Sequence, residues 1–434
     1  MKLTKLYIVI ACFLVTSISL GQQTPAPKQK KAIAIVGAIA HIGNGEVIEN
    51  SIIVFENGKI QTVADASTIR IDRTKTEIIN AQGKHVYPGF IIPNSTLGLV
   101  EIDAVRATQD SDEVGQMNPN IRSLIAYNAE SKIVESMRPN GVLMGQITPR
   151  GGRISGTSSI VQFDAWNWED AALKVDDGVH INWPSPYSRG RWWLGEPNVL
   201  KPNNNYNKQI SELSDFIAAS KAYLAGDKKI KNLQYEGLSG VLNRTQKLFI
   251  SVNDEKGITD AVEFAKKNNI KSVIVGGRHA HKVGTLLKQN NIPVILNRVH
   301  SRPSSDDEDY DLPFKSAKLL VDQGVLVSLQ ANGQMERMNS RNLPFYAGTT
   351  VAYGLEKEEA LKLITSNTAK ILGIDDFCGT LEVGKDATLF ISEGDALDMR
   401  TNILSKAFIQ GRDISLETHQ TELAKRYSDK YKNQ

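Results

Sequence analysis

The sequence predicts an α/β chain in which a (β/α)8 barrel carries a composite β-sandwich built from both chain ends. Three observations predict it. Short strand-like runs with hairpin turns fill residues 32–90, strands alternate with amphipathic helices from about residue 248 onward, and strands return after residue 387. Composition permits such a fold, since 434 residues with 41% apolar and 23% charged side chains can bury a large core.

In the first segment, Ile33 to Val36, Ser51 to Phe55 and Lys59 to Val63 read as strands. They are separated by Gly43-Asn44-Gly45 and Asn57-Gly58, both hairpin signals. Ile78-Ile79 and His85-Val86-Tyr87 continue the pattern around Gln82-Gly83. So small a segment cannot bury a good core alone. Thr388 to Ile391 and Lys406 to Ile409 supply partners, so the sandwich is expected from residues 32–90 plus 376–415.

Residues 91–375 are the expected barrel. Ile258, Ala261, Val262 and Ala265 recur at helical spacing in a helix to Asn268, before a strand at Ser272 to Val275. A helix from His279 to Gln289 leads to a strand at Pro293 to Leu296, and a helix from Phe314 to Asp322 leads to Val325 to Leu329. Strands alternating with helices in this way form parallel βα units. One long helix, Lys357 to Leu372, is expected to close the barrel, and residues 416–434 hold a polar C-terminal helix.

Lys2 and Lys5 precede the apolar run Leu6 to Leu20, and Ser19-Leu20-Gly21 offers a small-x-small cleavage site after Gly21. That is the pattern of a signal peptide over residues 1–21, too short and without the flank of a membrane span. A polar linker, residues 22–31, would follow. Cleavage removes Cys12 and leaves Cys378 without a disulfide partner. The expected location is secreted or periplasmic, with no membrane span after cleavage. A formal charge of +3 and the lack of a basic run interleaved with aromatics argue against nucleic acid.

Tyr87-Pro88-Gly89-Phe90 follows Gly45-Glu46-Val47-Ile48-Glu49-Asn50 and Asn57-Gly58-Lys59-Ile60. Far downstream come Ala360-Leu361, Ile364-Thr365, Asn367, Ala369, Ile371-Leu372-Gly373, Gly379, Leu381-Glu382 and Gly384-Lys385-Asp386-Ala387. In this order and spacing they resemble the amidohydrolase superfamily, nearest its imidazolonepropionase-like branch, over residues 32–415. The resemblance implies a hydrolase of non-peptide carbon–nitrogen bonds in small cyclic amides. It also implies a metal centre with a His-x-His pair after strand one, a His after strand five, a His after strand six and an Asp after strand eight. Those positions hold Asn94, Thr96, Ser251, Gly276 and Asn332.

The substitutions bear on the chemistry. Metal-assisted hydrolysis needs an ion that lowers the pKa of its water from about 15.7 towards about 7, and zinc takes imidazole nitrogen and carboxylate oxygen. Amide and hydroxyl groups and a glycine supply neither, and an amide cannot accept the proton that the strand-eight Asp would take. No cofactor is therefore expected, zinc or another divalent metal being required only if the family activity survives. The sequence points to a weak or inactive hydrolase, a pseudoenzyme. The alternative is a non-catalytic small-molecule-binding protein or the partner subunit of a metal-complete relative. A small-molecule ligand is the expected partner, with a homo-oligomer also open.

Few residues could rebuild a site. Arg278, His279 and His281 follow strand six, but a spacing of two points the imidazoles to different helix faces. His300 precedes the acidic run Asp306 to Asp309 on a loop expected at the active face, although such runs usually form solvated turns. His41, His85 and His180 read as satisfied core or surface histidines. All five tryptophans, Trp166, Trp168, Trp183, Trp192 and Trp193, fall in one segment just after a glycine-rich stretch bearing Arg150 and Arg153. Arg150, Arg153, Trp166, Trp168, Trp192, Trp193 and His300 are the candidate ligand-binding residues; the bland alternative for the tryptophans is a long loop packing itself down.

Overall fold

The computed structural model describes residues 24–432, apart from residue 198 and the Trp192 side chain. The segment read as a signal peptide lies outside the described residues. The strands of the first layer are β1 (Ala32–His41), β2 (Val47–Glu56), β3 (Lys59–Asp65), β4 (Thr76–Asn80) and β5 (His85–Pro88). The hairpin between β2 and β3 turns at Asn57 and Gly58, both at positive φ (52° and 78°), as the sequence signal requires.

The barrel strands follow as β6 (Phe90–Ser95), β7 (Val142–Ile147), β8 (Ile154–Gln162) and β9 (Ala172–Asn182). After a protruding hairpin of β10 (Tyr187–Arg189) and β11 (Leu200–Pro202), they continue as β12 (Lys247–Val252), β13 (Ser272–Gly276), β14 (Val294–Leu296) and β15 (Val327–Leu329). The chain ends return as β16 (Leu389–Ser392), β17 (Leu404–Ile409) and β18 (Arg412–Ile414).

One sheet joins both chain ends in the order β18-β17-β16-β5-β1-β2-β3, with β4 beside the first half of β1. Non-neighbouring strands of that sheet meet where Phe55 of β2 packs edge-on against Phe408 of β17 at 5.1 Å. The sheet therefore bends over to enclose its own core, with Ile35, Ile53, Leu389 and Ile391 inside. Arg412 of β18 reaches Asp164 beyond β8 at 2.6 Å and ties this layer to the barrel, with Arg138 beside the same carboxylate. Ala26 of the expected linker also donates to Asp164.

The second sheet runs β6-β7-β8-β9-β12-β13-β14-β15, eight strands of a nearly closed barrel. Strands four to eight are parallel as expected. Strand three, β8, is antiparallel to both neighbours and joined to them by short reversals, the second carrying only the single helical turn Trp168–Ala171. Gly151 and Gly152, at φ 78° and 58°, make the first of those reversals. Helix Glu255–Asn268 is started by Asp254, which accepts from the Gly257 amide at 2.7 Å, and is stopped by Asn269 at φ 56°.

The expected helix from Lys357 to Leu372 is instead two, Lys357–Lys362 and Ser366–Leu372. The break has a use. Ile91 of strand one donates to the Ile364 carbonyl at 3.0 Å, and Leu329 of strand eight donates to the Leu363 carbonyl at 3.2 Å. An unbroken helix would keep those carbonyls for itself; the break lets them satisfy both edges of the barrel seam. The apolar part of the barrel interior holds Ile91, Met144, Ile160, Phe249, Val273 and Ile295.

Candidate functional site

The end of strand one is closed by charge. Asn94 is 2% exposed and bends the strand at φ 51°. The Arg150 guanidinium donates to the Asn94 side-chain oxygen at 2.9 Å and to its backbone carbonyl at 2.8 Å. Arg150 also pairs with Glu336 at 3.2 Å. The Glu336 carboxylate accepts from the Thr96 amide at 2.7 Å and from its hydroxyl at 3.2 Å. Across the seam the Asn94 amide donates to Gln330 of the strand-eight end.

Below that plug lies a buried polar layer. Gln146 of strand two accepts from the Asn94 amide at 3.0 Å and donates to Ser158 of strand three and Asp177 of strand four. Ser158 has one proton, and it goes to the Asp177 carboxylate at 2.7 Å. His180, 2.9 Å from the same hydroxyl oxygen, must then donate to it as the neutral Nε2–H tautomer. Burial first, and the Arg150 charge second, hold the His180 imidazole well below its usual pKa, in agreement with that tautomer. Burial pushes the Asp177 carboxyl up to about 6, against the Ser158 and Gln146 hydrogen bonds. Serine, histidine and aspartate are thus together but wired through the serine rather than the histidine. Ser158 is 0% exposed, so this is no acylation triad.

The other half of the mouth is open. A cavity of about 850 Å³ lies beyond the ends of strands five and six, under the β10–β11 hairpin. Cations (Arg189, Lys256, Arg278, Lys282) and acids (Asp254, Glu255, Asp260) both line it. Its wall is ordered by Glu308, which takes the Ser304 amide at 2.7 Å, His279 at 2.8 Å and Arg278 at 3.5 Å. Burial disfavours that carboxylate, but the Ser304 and His279 hydrogen bonds and the Arg278 charge outweigh it and bring its pKa down to about 2. Asp306, Asp307 and Asp309 of the same run are exposed, as a solvated turn would be.

Residues 315–418 match the model of the amidohydrolase family. Among solved structures, the chain resembles an amidohydrolase from Thermotoga maritima MSB8, at 22% identity and a TM-score of 0.75, over 88% of this chain and 99% of that one. The fold is that of the amidohydrolases. Molinate hydrolase shares it at 15% identity and a TM-score of 0.55, over 90% of this chain and 95% of that one. A prolidase complexed with N-methylphosphonate-L-proline does so at 14% and 0.54, over 89% and 100%. No curated protein matches the chain.

The side chains at the five positions that the family resemblance assigns to a metal are poor ligands for a cation. At the first two of these, Asn94 and Thr96 have their polar atoms committed to Gln330, Arg150, Glu336 and Arg337. A guanidinium bonded to Asn94 puts a positive charge beside the place a cation would take. Ser251 is half-buried and presents a hydroxyl. Gly276 sits at φ 99°, and a Cβ there would lie 2.7 Å from the Asn253 side-chain oxygen, so the strand-six tip excludes any larger residue without rebuilding. Asn332 offers only an amide, half-buried between Ala331 and Gly333. Among the described residues no three His, Cys, Asp or Glu side chains are grouped to hold a metal ion.

The remaining candidates scatter. Arg153 donates to the Asn182 carbonyl at 2.6 Å. Trp166 is 63% exposed near the end of β8, and Trp168 packs partly against the core. Trp183 is buried, bonded to Tyr206 at 3.2 Å and edge-on to Phe264. Trp193, 65% exposed, rides with Trp192 on the turn between β10 and β11. Trp166 and Trp168 therefore sit in the β8–β9 connection, Trp183 just after β9 and Trp193 in the β10–β11 turn. His300 bonds Thr349 at 2.7 Å and stacks edge-on to Tyr346, away from the acidic run. His279 and His281 stand edge to face at 6.5 Å, and only the former meets Glu308. Sequence reading missed Gln146, Ser158, Asp177, Gln330 and Glu336, and read His180 only as a satisfied histidine. For Gln146, Ser158, Asp177 and His180 the one signal is a polar residue inside an otherwise apolar strand; Gln330 just past β15 and Glu336 at the start of helix Glu336–Ser340 carry none.

Proposed function

We propose that this chain is a non-hydrolytic protein on an amidohydrolase scaffold, which binds a small polar molecule in the open half of the barrel mouth. The observation that carries this reading is the Arg150 guanidinium seated on Asn94 and paired with Glu336, a charge network at the strand-one position that the resemblance assigns to a metal ligand. The cavity's mixture of cations and carboxylates suits a ligand carrying both charges, such as a dipeptide-like or cyclic amide compound. The prolidase and molinate hydrolase of similar fold support that ligand class. The apolar N-terminal run supports secretion to the periplasm or beyond, where such compounds would be met.

The test has two parts. Chain purified without added metal or chelator is expected to carry only traces of zinc, iron or manganese by elemental analysis. Dipeptides and cyclic dipeptides are expected to raise its melting temperature and to alter tryptophan emission without being cleaved. Near-stoichiometric metal with turnover of any such compound would establish a hydrolase and overturn the reading.

A further inference from the structure

The opposite end of the barrel holds a second cavity, of about 550 Å³, where strands five and six begin. Lys247 starts β12 and Asn253 follows its end, so this cavity lies about 20 Å from the mouth along the strand direction. Arg244, Lys247, Lys266, Lys271, Lys288 and Lys370 line it, and no carboxylate does. None of the six forms an ion pair among the described residues; Lys247 donates only to the backbone carbonyls of Lys370 and Ile371. Arg244 likewise reaches only the Asn269 carbonyl and side-chain oxygen. Burial, and then the neighbouring Lys174, pull the Lys247 amine down to about 8 despite Asp177 and Asp375.

A second observation is independent of charge. Ser272, in the wall of this cavity, is 8% exposed, and its hydroxyl has no hydrogen-bond partner among the described residues. Leaving such a group unmade costs about 1–3 kcal/mol. An acceptor entering from the cavity would satisfy it once neighbouring side chains shift to bare the hydroxyl, whose oxygen is otherwise closed to solvent. Below the cations, Val262, Leu287 and Ile292 give the cavity an apolar floor.

We propose that this cavity is a binding site for a phosphate-bearing small molecule, held by the rim lysines with Ser272 donating to an oxygen. Five of the six cations are lysines, compact point charges of a kind that binds phosphate, and the lining holds no carboxylate to repel one. The volume lies within the range of small-molecule sites. The site is separate from the mouth, and neither metal content nor dipeptide binding reports on it.

The test is calorimetric titration of the full chain with inorganic phosphate, pyrophosphate and glycerol 3-phosphate at constant ionic strength. At least one should bind saturably. Lys271→Glu with Lys288→Glu should weaken it at least tenfold, Ser272→Ala several-fold, and Lys425→Glu on the C-terminal helix not at all. Tighter binding of the ester assigns an organic source, and tighter binding of pyrophosphate an inorganic one. Should the double reversal fail to fold, Lys288→Gln carries the same comparison. No saturable binding, or equal weakening by Lys425→Glu, would overturn the proposal.

Discussion

The two halves of the barrel mouth solve the same problem in opposite ways. Around strands one and eight every polar group is committed: Asn94, Thr96, Gln146 and Gln330 are at most 3% exposed and bonded to one another or to Arg150 and Glu336. Around strands five and six, by contrast, charged groups line an open cavity of about 850 Å³. The difference shows that an internal ion pair can seal the tips of strands one and eight while the tips of strands five and six stay open. A buried pair of this kind is costly to break, because the partner left behind is a desolvated charge.

That contrast can be broken most directly at Glu336. Glu336→Ala strands Arg150 and leaves the Thr96 amide without its acceptor, so a loss of about 3–4 kcal/mol is expected in urea denaturation. A loss under about 1 kcal/mol would mean that the ion pair does not hold strand one. The next effect is pH-dependent. Asp177 titrates near 6 in the folded chain against about 3.9 unfolded, so its stabilising contribution is complete below about pH 3.9 and lost as pH rises through about 6. Asp177→Asn cannot suffer that loss. Its stability relative to the parent should therefore climb by on the order of 2 kcal/mol between pH 4 and pH 7, measured by thermal melts across that range.

Smaller effects belong to the open half. Tyr206 accepts from Trp183 at 3.2 Å and donates to Asp260, a cavity-lining residue, at 2.5 Å. Tyr206→Phe should cost about 1–2 kcal/mol and red-shift the emission of Trp183 if water replaces the hydroxyl. Lys282→Glu should change stability by less than about 0.5 kcal/mol, since the side chain is exposed, while altering dipeptide affinity several-fold. Equal effects of Lys282→Glu and Lys208→Glu on affinity would place the ligand elsewhere.

The barrel and the bent sheet shared by both chain ends were legible in the sequence because each rests on local pattern: period-2 runs and 3.6-residue periodicity. The reversal of β8 was not. A strand buried on both sides reads alike in either direction, and the glycines before it permit a hairpin without demanding one. The break at Leu363 to Thr365 was hidden because apolar periodicity runs through it, while the reason for it sits at Ile91 and Leu329. His180 read as a satisfied histidine, and it is satisfied, but by Ser158, a partner no spacing rule could name. The tryptophans illustrate the converse, since neighbours in the chain need not be neighbours in space.

The hydrogen bonds from Ile91 and Leu329 to residues 364 and 363 also set an order of events during synthesis. The first barrel strand leaves the ribosome some 270 residues before the segment that satisfies its outer edge, so that edge stays bare through most of translation (taking the difference between positions 364 and 91). An unpaired strand edge invites pairing with other chains, and contacts of such long range form late. Products ending before residue 363 would therefore aggregate rather than fold into a smaller barrel.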